Sequence, residues 1–254
     1  MTLYDFHCHL DMVDPMQGTT VKDIVEGAKA AGICGMITCS TSFQSNEKNI
    51  SIAEKFPSVK AAIGLYPINV LELSDEELDK AFEFFENAVK REEVVAIGEV
   101  GLDFKLSKTT EEKERQAKVF SRFIDLSKRS GKALIIHSRY AQDQVLRQLQ
   151  SEGAKKVLLH SFVDSPKLMK RAAELGYFVS VGMSVLYNIE VQQRVAGCEM
   201  CKLLFETDSP IIFNSERALP QNVADIARKV AELKKTSLEE IEKAQETAYK
   251  TLFG

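Results

Sequence analysis

Eight short apolar, β-branched runs alternate with longer amphipathic stretches along this chain, and that alternation restricts the fold more than any other feature. The runs cover 3–8, 33–40, 59–65, 94–99, 132–137, 156–160, 177–181 and 202–206. The amphipathic stretches between and after them predict helices over 21–31, 46–56, 74–90, 110–130, 141–152 and 166–175. A weaker one follows over 185–196, and two more over 221–234 and 237–252. Helix starts such as Ser74-Asp75-Glu76-Glu77 carry capping-box chemistry, and Gly32, Pro57, Gly131 and Gly176 are stop signals. The runs are apolar throughout instead of alternating, as in parallel strands covered on both faces. A (β/α)8 TIM barrel, a single domain over 1–254, is the expected architecture. A doubly wound open sheet is the competitor, but no glycine-rich phosphate loop follows the first run.

Composition narrows the function classes. With 254 residues, 44% of them hydrophobic, the chain can bury a full core. A net charge of −4 excludes a globally basic surface for gripping long nucleic acid, while leaving room for a local anion site. No apolar run approaches ~18 residues, and the start lacks the basic and apolar segments of a signal peptide. Five cysteines, an odd number, argue for reduced thiols and a cytoplasmic location. Cys198 and Cys201 have the spacing of half a zinc site without a second pair. They read as two buried thiols ahead of a strand. Cys8 is expected to face outward against helices.

The chain has four histidines, His7, His9, His137 and His160, and each ends an apolar run. In a barrel those ends form the active-site face. Residues i and i+2 of a strand share a face, with Cα atoms ~7 Å apart, so His7 and His9 can converge on one ion. Glu99 ends the fourth run and Glu206 the eighth, which Asp208 follows. Four imidazoles with Glu99 and Asp208 suit two divalent ions with one carboxylate bridging. Glu99 has the reach to bridge, and Gly98 before it is expected to let the backbone approach the site. Asp208 can ligate a metal, orient a water or accept its proton. Such a site needs no organic cofactor, and no histidine is spare for a serine or cysteine nucleophile.

Other residues on that face are open to two readings. Arg139 follows His137 by two residues and can clamp a phosphate bidentately or form a salt bridge. Asp103 can hold a ligand histidine in its tautomer or cap its loop. Asp11 can be a helix cap or an acceptor beside a ligand. Phe43, Phe104 and Phe162 can stack on bases or pack on their own loops. The pairs Lys128-Arg129 and Lys234-Lys235 read as solvated helix ends.

Taken together, Asp5-Phe6-His7-Cys8-His9-Leu10-Asp11, Gly98-Glu99-Val100-Gly101-Leu102-Asp103, His137-Ser138-Arg139, His160 and Glu206-Thr207-Asp208-Ser209-Pro210 resemble the TatD-type metal-dependent deoxyribonucleases of the amidohydrolase superfamily. The resemblance spans nearly the whole chain. It implies a (β/α)8 fold and a two-metal site, with His7, His9 and Asp208 on one ion, His137 and His160 on the other, and Glu99 between them. It implies phosphodiester hydrolysis on DNA, typically exonucleolytic, with short or single-stranded ends as substrate. Family members usually carry Gly-Ile-His-Pro after the third strand; here it is Gly64-Leu65-Tyr66-Pro67, so Tyr66 joins Arg139 as a candidate substrate contact. Imidazole donors favour Zn²⁺ or another transition metal, while phosphoryl transfer often runs with Mg²⁺ or Mn²⁺. A metal amidohydrolase acting on a small amide or ester, and a non-enzymatic binding module, are the competing readings. A closed apolar mouth would favour the small amide; an open groove with Arg139 and lysines on its rim would favour nucleic acid.

Overall fold

A computed structural model describes residues 2–13, 18–163 and 165–254. Eight parallel strands follow one another in chain order around a barrel. They are β1 (Leu3–Cys8), β2 (Ile33–Cys39), β3 (Val59–Ile63), β4 (Val94–Asp103), β5 (Ala133–Arg139), β6 (Val157–Leu159), β7 (Phe178–Val181) and β8 (Leu203–Phe205). The chain beyond β8 closes onto β1 through main-chain bonds. Asp208 N–H donates to His7 C=O at 2.9 Å, and His9 N–H to Ser209 C=O at 2.6 Å. The expected TIM barrel is the observed fold.

Helices pack outside the sheet: α1 (Val21–Ala30), α2 (Phe43–Lys55), α3 (Asp75–Ala88), α4 (Thr110–Ser130), α5 (Gln142–Ser151) and α6 (Pro166–Glu174). Then come α7 (Ser184–Tyr187), α8 (Ile189–Gly197), α9 (Val223–Lys234) and α10 (Leu238–Phe253). Reciprocal capping boxes at Thr20, Ser42, Ser74, Thr109 and Ser237 satisfy otherwise orphaned N–H groups, each contributing about 1 kcal/mol. The box at Ser42 starts α2 three residues ahead of the expected position 46. The stretch over 185–196 is two helices, because Asn188 leaves helical geometry and its side chain caps α8. A small hairpin, β9 (Ile212–Phe213) with β10 (Glu216–Arg217), follows β8. Two-residue strands are too short to show a period in sequence.

Two apolar layers hold the barrel. Leu3, Cys8, Met36, Val59 and Leu134 pack outward with the helices. Phe6, Ile37, Ala62, Ala96, Ile135, Leu158 and Phe178 fill the interior, and Ala248 and Leu252 of α10 close its lower end. Tyr249 of α10 stacks on Tyr4 at 4.3 Å. Cys8 faces outward as expected. Cys198 and Cys201 are not the buried pair expected: Cys198 is half-buried and Cys201 exposed. A 3-10 turn over Met200–Lys202 intervenes before β8 and swings Cys201 into solvent. No helix among the described residues is long and apolar enough to cross a membrane.

Strand β4 runs four residues past the expected end at 99, and its glycines explain how. A Cβ on Gly98 would lie 2.7 Å from Ile135 Cβ, and one on Gly101 (φ +139°) 2.1 Å from His137 O. Both let β4 lie tightly against β5. The room made by Gly98 is therefore taken by β5 and not, as expected, by the site.

Candidate active site

The carboxyl ends of β1, β5 and β6, the middle of β4 and the segment after β8 bring six side chains together. His7 and His9 share a side, their Nε2 atoms 3.1 Å apart. His9 Nδ1 lies 2.8 Å from Cys39 C=O, which assigns its proton to Nδ1 and leaves a lone pair on Nε2. That lone pair faces Asp208 Oδ1 at 3.1 Å and Glu99 Oε2 at 3.6 Å. His7 Nε2 is 3.6 Å from each of the same two oxygens. His160 stacks on His7 with ring centroids 3.8 Å apart. Its Nδ1 bonds Glu206 Oε2 at 2.9 Å, and its Nε2 is 4.0 Å from Asp208 Oδ2. His137 Nδ1 meets Glu99 Oε1 at 2.7 Å, so Glu99 has histidines at both oxygens. Asp208 reaches inward from a left-handed backbone (φ +55°), a conformation aspartate tolerates better than most residues.

With the His9 proton on Nδ1, its Nε2 faces the Asp208 and Glu99 carboxylates acceptor to acceptor, and a positive charge at that place reconciles them. Burial alone would drive the imidazoles neutral. Around His9, the Asp208 and Glu99 carboxylates outweigh burial and push the pKa up to about 9. Around His160, burial is outweighed by Glu206 and Asp208, giving about 10. His137 is raised for the same reason, with Asp103 and Glu99 opposing burial. His7 is lowered, by burial and then by the neighbouring His160. Burial also works against the charge on Glu99, yet His137 and His7 hold its carboxyl well below the usual range. Without another cation, protons take that place.

A divalent cation satisfies the same demand. Donor atoms lie within 4.8 Å of one another in three groups: His7, His9 and Glu99; Glu99, His137 and His160; and His7, His160 and Glu206. His7 Nδ1 is buried with no hydrogen-bond partner. Imidazole and carboxylate donors in this number fit divalent ions.

Further residues support these six side chains from behind. The sequence places Glu206 at the end of the eighth run without giving it a role; in the structure it orients His160 and also accepts from Ser180 Oγ. Its place two residues before Asp208 was the available signal. Asp5 takes N–H bonds from His7 at 3.2 Å and Thr207 at 3.1 Å, plus the Thr207 hydroxyl at 2.5 Å, tying β1 to the segment after β8. Asp11 is an acceptor and not a helix cap: Asn49 Nδ2 donates to it at 3.1 Å, and also to Cys39 C=O at 3.2 Å. Asp103 caps its own loop and also faces His137. It accepts the backbone N–H groups of Lys105 and Leu106 at 3.0 Å and sits 3.2 Å from His137 Nε2.

Tyr66 donates to Asp103 at 2.7 Å and lies 3.1 Å from His137 Nε2. Its one hydrogen is thus engaged, so donating to a substrate oxygen would have to replace that bond. A cavity of about 800 Å³ opens outward, with His137, His160 and Asp208 at its base and Lys105, Arg139 and Tyr140 at its exposed rim. Of the expected aromatics, Phe162 is 2% exposed. Phe43 packs edge-on against Phe84, and Phe104 is half-buried beneath Lys113.

Known proteins resemble this one along its length. The model of the family described as TatD related DNase matches residues 4–254. The human deoxyribonuclease TATDN3 is 33% identical over 250 residues, covering 94% of this chain and 90% of its own. The uncharacterized metal-dependent hydrolase YabD of Bacillus subtilis is 29% identical over 259 residues, covering 99% and 98%. The crystal structure of YjjV, a TatD homolog from Escherichia coli, superposes with a TM-score of 0.87 at 28% identity, covering 99% of this chain and 97% of that one. A match from the first strand to the last residue, on a barrel whose strand ends hold this cluster, means that the chain belongs to the TatD-related DNase family of hydrolases.

Proposed function

We propose that the protein hydrolyses phosphodiester bonds in DNA, working from short or single-stranded ends, with two divalent ions (Zn²⁺, Mg²⁺ or Mn²⁺) as its only cofactors. The observation that carries the reading is the convergence of four imidazoles with Glu99 and Asp208 at the base of an open, cation-rimmed cavity. In this reading His7, His9 and Asp208 hold one ion, His137 and His160 the other, and Glu99 lies between. Bound divalent ions supply a hydroxide nucleophile near neutral pH and polarise phosphoryl oxygens.

The chain's own residues do the rest. Glu206 and the Cys39 carbonyl keep His160 and His9 in the tautomer with a free Nε2. Asp208, 28% exposed and facing the cavity, accepts the proton of the attacking water. Arg139 offers its fork to a substrate phosphate at the rim. Tyr66 is kept as a substrate contact once its bond to Asp103 is exchanged. Until then it steadies Asp103 and His137. None of the five cysteines, all among the described residues, is in a disulfide, which fits a reducing compartment such as the cytoplasm.

The second reading is a metal amidohydrolase for a small amide or ester, which shares the ligands. An open mouth rimmed by Arg139 and Lys105 supports the nucleic-acid reading over it. The test is cleavage of a single-stranded oligonucleotide by metal-loaded protein, beside amide and ester substrates. His9→Ala and Glu99→Ala are each expected to lower oligonucleotide cleavage by at least about 100-fold, more than loss of a group that merely orients a ligand. Equal cleavage by wild type and both variants would remove the proposal, and turnover of amides alone would install the second reading.

A further inference from the structure

Tyr140 follows the candidate phosphate clamp Arg139 directly, is 72% exposed, and lines the same cavity as His137, His160 and Asp208. Its backbone is left-handed (φ +57°), a conformation that disfavours every residue with a side chain. A large ring is therefore held in water, at a strained position, on the rim of the site. Lys105 Nζ lies 5.7 Å from the ring centroid.

A second observation points the same way. The other large apolar side chains that are exposed among the described residues are Met12, Leu106, Tyr187, Ile189, Ile211 and Ile212. All lie in segments that leave the carboxyl end of a strand on the way to the next helix or within it, around the mouth of the barrel. The outer faces of the long helices and the opposite end of the barrel contribute none. Ile211 lines the cavity together with Tyr140. The mouth thus pairs apolar surface with exposed cations, a chemistry that suits a ligand in which flat apolar groups alternate with anionic ones.

Resting on the phosphodiesterase reading above, we infer that Tyr140 is a specificity-determining residue: its ring stacks on the nucleobase of the nucleotide next to the phosphate held by Arg139. Consecutive residues present a phosphate fork and an aromatic face, as consecutive groups of a nucleotide chain present a phosphate and a base. Of the aromatics expected from the sequence to do this, Phe162 is buried, and Phe43 and Phe104 are half-buried against Phe84 and Lys113. Stacking on a ring tolerates any base but needs that base unpaired.

The experiment compares wild type, Tyr140→Ala, Tyr140→Phe and Tyr140→Trp, all metal-loaded. The substrates are a single-stranded oligonucleotide and matched versions carrying one abasic residue at each terminal position in turn. Wild type should lose roughly 5- to 100-fold in kcat/KM at one abasic position, the range expected for one stacked base. Tyr140→Ala should show the same loss, carried by KM, on the intact strand and no further loss on that abasic one. The Phe and Trp variants should behave as wild type. Equal losses by Tyr140→Ala on intact and abasic strands, or no loss at all, would overturn the role of Tyr140. Because cleavage of the abasic strand reports phosphodiester chemistry without the stacked base, it separates the two claims. If wild type cleaves neither strand, the phosphodiesterase reading fails and this inference with it.

Discussion

His160 shows how much of the site depends on a neighbour of each ligand. Glu206 holds its Nδ1 at 2.9 Å, so its Nε2 is free to face the cluster. Glu206→Gln keeps the shape but replaces an anion with an amide that can turn either end to the ring. Activity is expected to fall about 10- to 100-fold, with the thermal unfolding midpoint close to wild type. An unchanged rate would show that His160 is oriented by its stacking on His7 alone. The same local charges set a pH dependence. In the metal-free protein His9 and His160, with pKa values of about 9 and about 10, hold protons at pH 7. An ion needs those nitrogens unprotonated, so binding should release protons, and apparent affinity should rise with pH until about 9 to 10. Calorimetry at pH 7 in buffers of different ionisation enthalpy should give buffer-dependent heats; identical heats would contradict the assignment. Both folded pKa values stand above the unfolded value. Their stabilisation of the metal-free protein is therefore complete below about pH 6.5 and lost as pH rises through 9 to 10.

Among the elements, β4 is the one on which the site turns. It places Glu99 and Asp103 on either side of His137, and it does so because Gly98 and Gly101 lack side chains where β5 passes. Gly101→Ala combines a disfavoured backbone (φ +139°) with a Cβ 2.1 Å from His137 O. A cost of roughly 2–5 kcal/mol is expected from strain and overpacking together, with loss of bound metal. Gly131→Ala is the control. Its φ is +71° with nothing within 4 Å, so about 1–2 kcal/mol and no effect on metal are expected. Denaturant titration and elemental analysis of the two variants check this; equal costs would mean that close approach to β5 contributes nothing.

At the level of the whole molecule, the barrel has two ends with different tasks. The lower end is an apolar plug, where α10 sets Leu252 against the interior layer that includes Phe6 and Phe178. The upper end is polar and carries the site. Leu252→Ala should therefore cost about 2–5 kcal/mol while metal content and kcat of the folded protein stay near wild type. A loss of metal binding without a loss of stability would show that the two ends are coupled. The net charge of −4 is likewise a whole-molecule property, and it coexists with a mouth where Lys105 and Arg139 are the exposed charges beside the cavity. Local field at the mouth, and not global charge, is what a substrate end would meet.

The sequence by itself determined the barrel and its six convergent side chains. Strand and helix periods are local, and a histidine that ends an apolar run is carried to the carboxyl face wherever the strand goes. His7 and His9 needed only the two-residue repeat of a strand to face one another. The tertiary structure decided what depends on distant segments meeting. The Cys39 carbonyl meets His9 from β2, Glu206 meets His160 from beyond β8, and Asp103 binds Tyr66 from the loop after β3. It also reversed the choice of aromatic, burying Phe162 and leaving Tyr140 in solvent. Exposure follows from which loops pack over which, and no residue's own chemistry announces it. Composition gave no sign that the exposed apolar side chains would gather around one end of the barrel. Their place is set by the connection each belongs to, and only a closed barrel puts those connections side by side.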